Sequence, residues 1–409
     1  MNRGLALLKN LSTVNRRVLD VLRVHGPTTR SQLSCLTGIS LTKIAEVTRQ
    51  LARTGLVREG EGPSSGGRKP TLMHIKGDLF HTVGIDVGTQ NLRAVVMDAT
   101  GSVSASARRH KPLGLSSAIG IEDMLSIARE ALARAGVHES QVMGIGVGVT
   151  GIVDEVRGTS LFVPGAPQMR DLPVVRLLQE ASKVSNVYIT DSVRGMALAE
   201  SRYGLGRGIR DFVFVNVGVG LGAGIVVDGK VMTGSRGIIG ELGHVYVGES
   251  NEICCCGNYG CLESIASGWA LSRRVNRAMS NGVVTSIRTE PSTDGSDQIR
   301  DLIEAAKSGD KFAVNLLNEA ADLLSLGTST LVNLLNPQRI IVGGGLAEGA
   351  SELLMEPLTR RTKARSLPWI QSEIDIRLSE LGEYSAARGV ATLAMDKVFA
   401  AEDGCPPAG

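Results

Sequence analysis

The chain has 409 residues, too many for one ordinary domain, and its hydrophobic content of 43% excludes a disordered polypeptide. Aromatic residues make up only 3% and glycine occupies 50 positions, a composition that favours an α/β architecture with many tight turns. Residues 1–70 hold 12 Lys and Arg against 4 Asp and Glu, so this segment has a net charge of +8 and the remainder of the chain has −5. A basic segment of this kind indicates either a nucleic-acid-binding module or a solvated charged face.

The first predicted elements form a small basic head. Residues 14–24 predict a helix that ends before Gly26, and Thr28 or Thr29 caps a second helix that Gly38 closes. Ser40 caps a third helix. We expect the apolar side chains of the second and third helices to be buried, namely Leu33, Leu36, Leu41, Ile44, Val47 and Leu51. Two short strands around the loop 60–67 then complete a winged helix-turn-helix.

The third helix is the expected DNA-reading element, because the second helix of a helix-turn-helix lies in the major groove. Its polar face offers arginine, glutamine and threonine, which can hydrogen-bond base edges, while the start of the second helix and the wing can bind phosphates. The predicted DNA contacts are Arg30, Ser31, Ser40, Thr42, Lys43, Arg49, Gln50, Arg53, Arg68 and Lys69. A small helical protein-interaction domain is the alternative for this segment.

From residue 82 the pattern becomes that of an α/β domain. TVGIDVG (82–88) predicts a buried strand entering a glycine turn, with LRAVVMD (92–98) as its hairpin partner. Further strands are predicted at 142–149, 186–190, 211–217 and 339–342, and helices at 121–136, 172–183, 192–202, 299–334 and 384–401. IDVG and VNVG both open a strand–turn–strand unit, which predicts two related lobes. Residues 283–298 predict an irregular loop.

The sequence predicts neither a secretory signal nor a membrane span. The apolar stretch Gly4–Leu8 is too short for a signal, and the longest apolar run, Phe212–Val227, is interrupted by glycines and predicts two strands. Four of the six cysteines fall within Cys254–Cys261, which favours a metal site in a reducing cytosol over a disulfide framework. We therefore expect a cytoplasmic protein.

The cysteine cluster predicts a zinc site. The candidate ligands, in the spacing H-x9-C-x-C-x4-C, are His244, Cys254, Cys256 and Cys261. Three thiolates and one imidazole suit a closed tetrahedral site with no open position, so the zinc is predicted to be structural. Gly257 and Gly260 permit the sharp turns that such a site needs. Cys255 is expected to point away, with competition for the metal in a misassembled site as the alternative. Ordinary buried thiols are the alternative.

Several of these segments resemble one protein family. GELGH (240–244) followed by C-x-C-G-N-Y-G-C-L-E (254–263) resembles the ROK signature, and the head segments VNRRVL, GISLTKIAEVTRQLARTGLV and GGRKP are similar to the repressor branch of that family. DVG (86–88), TDSVRGMALAE (190–200), GVGLGAGIVVDGK (218–230) and LNPQRIIVGGGL (335–346) align with further family blocks, so the resemblance covers nearly the whole chain.

The resemblance implies a winged helix-turn-helix followed by a two-lobed, actin-like, sugar-kinase-like domain with a sugar cleft between its lobes. The implied boundaries are a DNA-binding domain at 1–76, a first lobe at 77–195 with a return of 384–401, a second lobe with the zinc loop at 196–383, and a tail at 402–409. It also implies a double-stranded DNA operator, a sugar or sugar phosphate effector, possible control by a protein partner, and a homodimer or homotetramer.

The resemblance also assigns roles to individual residues. Glu241, His244 and Glu263 match positions that hold sugar hydroxyls, Asp191 matches the kinase general base, and Thr190 replaces the asparagine before that base. A carboxylate beside a hydroxyl can orient it and accept its proton. His244 would be shared between zinc and sugar. Support of the zinc loop is the alternative role for Glu241 and Glu263.

The phosphate loops depart from the kinase pattern. Thr89 and Gln90 follow Gly88 where the family kinases have a glycine and a threonine, and Val219 replaces the threonine of the second loop. A side chain where backbone must approach phosphate is a steric obstacle. Gly165 occupies the place of a sugar-binding asparagine. These departures predict a protein that is not an enzyme.

Three functions are compatible with these residues. The first is a ligand-gated, sugar-responsive transcriptional repressor of carbohydrate genes. The second is an active ATP-dependent sugar kinase with an appended regulatory DNA-binding head, which the retained carboxylates favour. The third is an interaction scaffold whose head binds protein. Ligand could release DNA or promote its binding.

Overall fold

The structure is a computed structural model that describes residues 3–63, 69–110, 120–288 and 296–400. The predicted DNA contact Arg68, the predicted tail and part of the predicted loop at 283–298 lie outside these residues. The helices are α1 Arg3–Lys9, α2 Thr13–His25, α3 Arg30–Thr37, α4 Leu41–Arg53, α5 Ile121–Ala135, α6 Val174–Ser182, α7 Ser192–Tyr203, α8 Leu262–Ala266, α9 Gly268–Ser280, α10 Ser296–Lys307, α11 Lys311–Leu335, α12 Gly345–Gly349, α13 Ser351–Arg365, α14 Pro368–Gln371 and α15 Ser385–Ala400. The strands are β1 Thr28–Thr29, β2 Val57–Glu61, β3 Thr71–Ile75, β4 His81–Val87, β5 Asn91–Asp98, β6 Val103–His110, β7 Val142–Val149, β8 Ile152–Asp154, β9 Thr159–Phe162, β10 Val187–Asp191, β11 Phe212–Val217, β12 Leu221–Val227, β13 Lys230–Val231, β14 Arg339–Gly343 and β15 Asp375–Leu378.

The head is a winged helix-turn-helix. Thr29 caps α3 through a reciprocal capping box with Gln32, and Ser40 caps α4, so both predicted helix starts are observed. The strands pair antiparallel in the order β1-β3-β2 and form the wing. An additional helix, α1, precedes the predicted elements.

Two of the predicted core leucines of the head are exposed. Leu36 retains 45% of its accessible surface and Leu41 retains 51%, whereas Leu33 and Ile44 are fully buried. Leu36 and Leu41 flank the turn between α3 and α4, and Leu41 is the first residue of α4. The prediction that these two are buried was wrong, because the apolar stripe extends beyond the end of a core built from three short helices.

The two lobes of the body have the same sheet topology. The first sheet has the order β10-β7-β4-β5-β6 and the second has the order β13-β12-β11-β14-β15. Each contains two antiparallel pairings, within its three-stranded meander, and two parallel pairings. The predicted relation between the lobes is therefore confirmed.

The predicted loop at 283–298 is wrong at its end, where α10 begins at Ser296. Within the described ranges, every helix is too short or too polar to cross a membrane.

Helices α7 and α15 pack together where the two lobes meet. Their backbones are in direct contact, since a Cβ atom added to Gly389 would lie 1.7 Å from the carbonyl oxygen of Gly195. Helix α7 also packs on β12 of the second lobe, where a Cβ added to Gly224 would lie 2.5 Å from that of Ala197. The boundary predicted after residue 195 therefore falls inside a continuous helix that contacts both lobes.

Glu200 provides a pH-dependent contact between α7 and the second lobe. Its fully buried carboxylate accepts hydrogen bonds from the Ser379 hydroxyl and the Leu205 backbone N–H. Burial raises the pKa of Glu200, so the folded protein retains this proton at pH values where the unfolded chain has released it. This contribution to stability is complete below the ordinary glutamate pKa and is lost as the pH rises through the folded pKa.

As the pH rises above the ordinary glutamate pKa, we therefore expect the free energy of unfolding to decline less steeply in Glu200→Gln than in the wild type. The amide can accept from Leu205 and donate to Ser379, so it reproduces the protonated carboxyl group. Urea unfolding at several pH values measures the difference. Glu180→Gln, on the exposed side of α6, is the control, and identical pH profiles for all three proteins would contradict the prediction.

Candidate functional site

Four thiol and imidazole groups of the second lobe converge on one point. The ligand atoms of His244, Cys254, Cys256 and Cys261 all lie within 4.8 Å of one another. The distance from Cys254 Sγ to His244 Nδ1 is 3.4 Å, and that between the Sγ atoms of Cys256 and Cys261 is 3.7 Å. A tetrahedral zinc ion requires about 3.5 Å and about 3.8 Å for these edges. This cluster can therefore hold a metal ion of zinc size.

The backbone around the cluster explains its geometry. Gly257 and Gly260 have φ angles of 89° and 73°, which favour glycine. A Cβ atom on Gly260 would also lie 2.2 Å from the Gly248 carbonyl oxygen. The Cys254 N–H donates to the Asn258 carbonyl and the Gly257 N–H to the Cys254 carbonyl, both at 2.9 Å. These tight turns direct alternate cysteines to the same side of the chain.

Cys255 lies outside this cluster but close to it, since its Sγ, a His244 ring nitrogen and a Glu263 oxygen form a second group of potential metal ligands within 4.8 Å of one another. Its thiol donates to Glu263 Oε1 at 3.6 Å, and its side chain lines the cleft between the lobes. Burial, together with the negative charge of Glu263, raises the pKa of the Cys255 thiol. Cys255 therefore belongs to the wall of the cleft.

The cleft between the lobes has a volume of about 780 Å³, enough for a small ligand. Both glycine loops line it, as do four predicted ligand-binding residues, Asp191, Glu241, His244 and Glu263. Thr190 is the exception. Its buried hydroxyl donates to Glu155 at 2.5 Å, and its side chain does not line the cleft. Pro164 lines the cleft, but Gly165, with a φ of 75°, brings no side chain to it.

Asp191 is held by its own helix and by an arginine. Its Oδ1 accepts from the Val193 N–H at 2.7 Å and caps α7, while its Oδ2 accepts from Arg194 Nε at 2.7 Å. Burial raises the pKa of Asp191, although the Arg194 guanidinium opposes the shift. Arg194 is itself buried and lies 3.2 Å from Glu155. Sequence analysis missed Arg194, although its spacing from Asp191 is that of a helical ion pair.

Asp86, beside the first glycine loop, has a similar environment. Its Oδ1 accepts from the Ser192 hydroxyl at 2.7 Å, and its Oδ2 lies 3.3 Å from Arg93 Nη1. Burial raises the pKa of this carboxyl group, with Arg93 acting in the opposite direction. Each of the two buried carboxylates of the cleft is therefore paired with an arginine.

The remaining acidic side chains lie beside the metal cluster. His244 places Nδ1 toward Cys254 and Nε2 3.8 Å from Glu241 Oε2. Glu263 Oε2 accepts from the Leu221 N–H at 2.9 Å, which orients this carboxylate. Burial raises the pKa of Glu241, and the negative charges of Asp191 and Glu263 add to the shift. This concentration of hydrogen-bond acceptors is suited to a ligand that carries several hydroxyl groups.

The predicted DNA-reading side chains lie on one exposed helix. Thr42, Lys43, Arg49, Gln50 and Arg53 of α4 are all exposed. Lys43 pairs with Glu46 at 2.9 Å, and Gln50 Oε1 accepts from Asn15 at 3.0 Å, so these two also have internal partners. Ser40 accepts from the Lys43 N–H as the helix cap.

Other predicted DNA contacts are engaged within the head. Arg30 donates to the Thr48 hydroxyl at 3.0 Å and pairs with Glu59 of β2 at 2.5 Å, so it connects α3, α4 and the wing. Lys69 pairs with Glu61 at 2.9 Å, and Ser31 is exposed. Arg58 on β2 was not predicted, although it is exposed and makes no ion pair with any residue of the described ranges. Its charge was the only available signal.

The amino-acid sequence of this chain is similar to those of known proteins. A model described as the ROK family matches residues 82–397. A putative xylose repressor of Caldicellulosiruptor sp. (strain Rt8B.4) is 28% identical over 399 residues, which cover 97% of this chain and 98% of that protein. These matches confirm the family resemblance that the sequence motifs indicate.

Solved structures match the fold. A ROK family transcriptional regulator described as a homolog of the E. coli MLC protein aligns with a TM-score of 0.77 and 25% identity, covering 94% of this chain and 96% of its own. A ROK family glucokinase from Streptomyces griseus, in complex with glucose and AMPPNP, aligns with a TM-score of 0.65 and 29% identity over 77% of this chain and 99% of its own. The predicted fold class is confirmed.

Proposed function

The chain belongs to the ROK family, and on this premise we propose that it is a sugar-responsive, DNA-binding transcriptional repressor of carbohydrate genes. One observation carries the proposal. An exposed DNA-reading helix belongs to a head whose core is continuous with a two-lobed domain, and that domain encloses a cleft lined by acidic side chains. A head and a ligand cleft joined in this way are suited to regulation by a small molecule.

The cleft is suited to binding a sugar without phosphorylating it. Glu241 and Glu263 supply acceptors for sugar hydroxyls, and the second ring nitrogen of His244 lies beside Glu241. Asp191 can add a sugar contact only through the remaining lone pairs of its oxygens. A general base must reach the proton that it removes, but Arg194 already occupies one oxygen of Asp191 and the helix N–H groups the other. Asp86 is similarly bound by Arg93. The side chains of Thr89 and Gln90 line the region where a nucleotide phosphate would bind.

We assign a structural zinc ion to His244, Cys254, Cys256 and Cys261. Four protein ligands complete a tetrahedral site, so the ion would fix the loop that carries Glu241 and His244 next to Glu263. The distances between the ligand atoms support this assignment. The ion would thus orient the sugar contacts without taking part in a reaction.

The regulator acts as a homodimer or homotetramer on a double-stranded operator. Closure of the lobes on a sugar would alter the separation of two heads, so that they no longer match the operator half-sites. Thr42, Arg49 and Arg53 are the proposed base or backbone contacts, supported by Ser31 and Arg58. The exposed Leu41 at the start of α4 could contact a thymine methyl group.

Operator selection from random duplexes, followed by titration with a panel of pentoses, hexoses and amino sugars, tests the proposal. We expect steep salt dependence, since DNA phosphates attract the basic head, and release of DNA by one sugar. Binding that is insensitive to salt would favour the protein-binding scaffold. A coupled ATP-consumption assay across the same panel addresses the kinase alternative, and turnover typical of sugar kinases would contradict the non-enzymatic function.

Replacement of Glu241 tests the sugar site. We expect Glu241→Gln to weaken binding of the sugar identified in that panel by about 10- to 100-fold, because a charged acceptor is lost. Zinc content should be unchanged, since Glu241 is not one of the four metal ligands. Isothermal titration calorimetry measures the affinity, with Glu249→Gln on the surface of the same lobe as control. Equal affinities in both variants would remove Glu241 from the sugar site.

A further inference from the structure

Helix α7 runs from the ligand cleft to the head. Asp191 caps its first turn inside the cleft, and Tyr203 ends it with its hydroxyl 3.0 Å from Thr392 Oγ1 in the middle of α15. Its 12 residues span about 18 Å at the rise of an α-helix. A displacement of this helix at the cleft would therefore be carried to its far end.

The C-terminal end of α7 is attached to the second lobe as well as to α15. Glu200 accepts from Ser379, and the Leu205 carbonyl accepts from Arg339 at 2.6 Å, so the C-terminal end of α7 is attached to the second lobe. Helix α15, in contrast, is seated on the first sheet. Cβ atoms added to Gly84 and Gly146 would each lie 1.9 Å from carbonyl oxygens of α15. Movement between the lobes would thus shift α7 along α15.

Asp396 of α15 lies where α7, α15 and the head meet. Its Oδ2 accepts from Arg202 Nη2 of α7 at 2.9 Å, and its Oδ1 lies 2.7 Å from Arg23 Nη2 of head helix α2. One carboxylate therefore pairs with an arginine from the head and an arginine from the helix that begins in the cleft. The Arg23 side chain is only 7% exposed, so loss of this counter-charge would be costly.

The surroundings of Asp396 allow its pairing to change. Arg23 also donates to Asp20 within α2 and packs 5.1 Å from the Phe399 ring centroid. A cavity of about 100 Å³ beside the ion pairs is lined by Arg23, Arg202 and the exposed Arg207. Arg23 therefore has an alternative partner in Asp20, and the cavity leaves space beside Arg23 and Arg202.

We propose that Asp396 is the positioning residue that couples the effector cleft to the DNA-reading head. The proposal rests on the proposed function, since it describes how ligand binding would reach DNA. A shift of α7 separates Arg202 from Asp396, which changes how this carboxylate holds Arg23 and thereby the orientation of α2. The coupling is carried by one carboxylate that holds two arginines, one at each oxygen, so that loss of one contact alters the other.

Hydrogen exchange on the full chain, with neither sugar nor operator present, tests the coupling. Asp191→Asn perturbs the cleft end of α7 but retains a good helix cap. We expect it to change amide exchange about threefold or more in both α7 and α2. In the Asp396→Asn background the change in α7 should persist while the change in α2 disappears.

Asp20→Asn is the matched control, because Asp20 also pairs with Arg23 but lies within the head. In that background α2 should still respond to Asp191→Asn. If α2 does not respond in the wild type although α7 does, or if it responds equally in the Asp396→Asn background, the proposal is wrong. Arg202→Gln must give the same result as Asp396→Asn. Either negative result would leave sugar and DNA binding intact as separate functions, so the proposed function is judged independently.

Discussion

Cys256→Ser is expected to remove the metal ion and to destabilise the second lobe, whereas Cys255→Ser should leave both unchanged. The two thiols are sequence neighbours and both are exposed, but only the Cys256 sulfur belongs to the four-ligand cluster, at 3.7 Å from Cys261 Sγ. Loss of a thiolate ligand leaves an incomplete site, and metal-binding free energy is part of the stability of such a loop. We expect a loss of about 3 kcal/mol or more.

Zinc content per chain and thermal unfolding measure this difference. The wild type and Cys255→Ser should each hold one zinc ion per chain, and Tm should fall by about 6 °C or more only in Cys256→Ser. Treatment of the wild type with a chelator should reproduce the Cys256→Ser result. If Cys255→Ser loses metal to the same extent, the ligand set derived from the distances is wrong.

Arg49→Ala is expected to weaken operator binding by about 1–3 kcal/mol, which is roughly 5- to 150-fold. Arg49 is exposed on α4, and its Nε donates only to a carbonyl of its own helix, so its guanidinium remains available. If Arg49 reads a base, discrimination at one operator position should relax. If it contacts phosphate, affinity should fall uniformly and the salt dependence should become shallower.

Fluorescence anisotropy with a selected operator at several salt concentrations distinguishes these results. Arg176→Ala is the control, because it removes the same charge from the exposed surface of α6 in the first lobe. Its affinity should match that of the wild type. Equal losses of operator affinity in both variants would indicate a general effect of net charge. Unchanged affinity in Arg49→Ala would mean that Arg49 of α4 does not contact the operator.

Much of the fold and of the metal cluster could be predicted from the sequence. Strand β7 lies at the predicted residues 142–149, and helix α5 differs from its prediction by one residue at its end. In both, an apolar pattern of one period continues through a whole element, so local preference and burial agree. The metal cluster could be predicted equally well, since three of its candidate ligands lie within eight residues and cysteines at this spacing are typical of metal sites.

The electrostatic environment of the site could not be predicted in this way. Arg30 was expected at DNA phosphates but pairs with Glu59, and Thr190 was expected in the cleft but donates to Glu155. Each side chain found a partner 29 or 35 residues away, on an element whose position follows from the packing of the whole domain. The type of a residue does not determine which of several possible ion-pair or hydrogen-bond partners lies nearest to it in the fold.

The sequence by itself therefore determined the elements, the related lobes and the cluster of candidate metal ligands, because these depend on periodicity and on donors close together in the chain. Only the tertiary structure decided that Arg194 also reaches Glu155, and that Asp396 joins Arg202 to Arg23. Pairing energies depend on distance and burial, and the chain acquires both only when sheets and helices distant in sequence pack together.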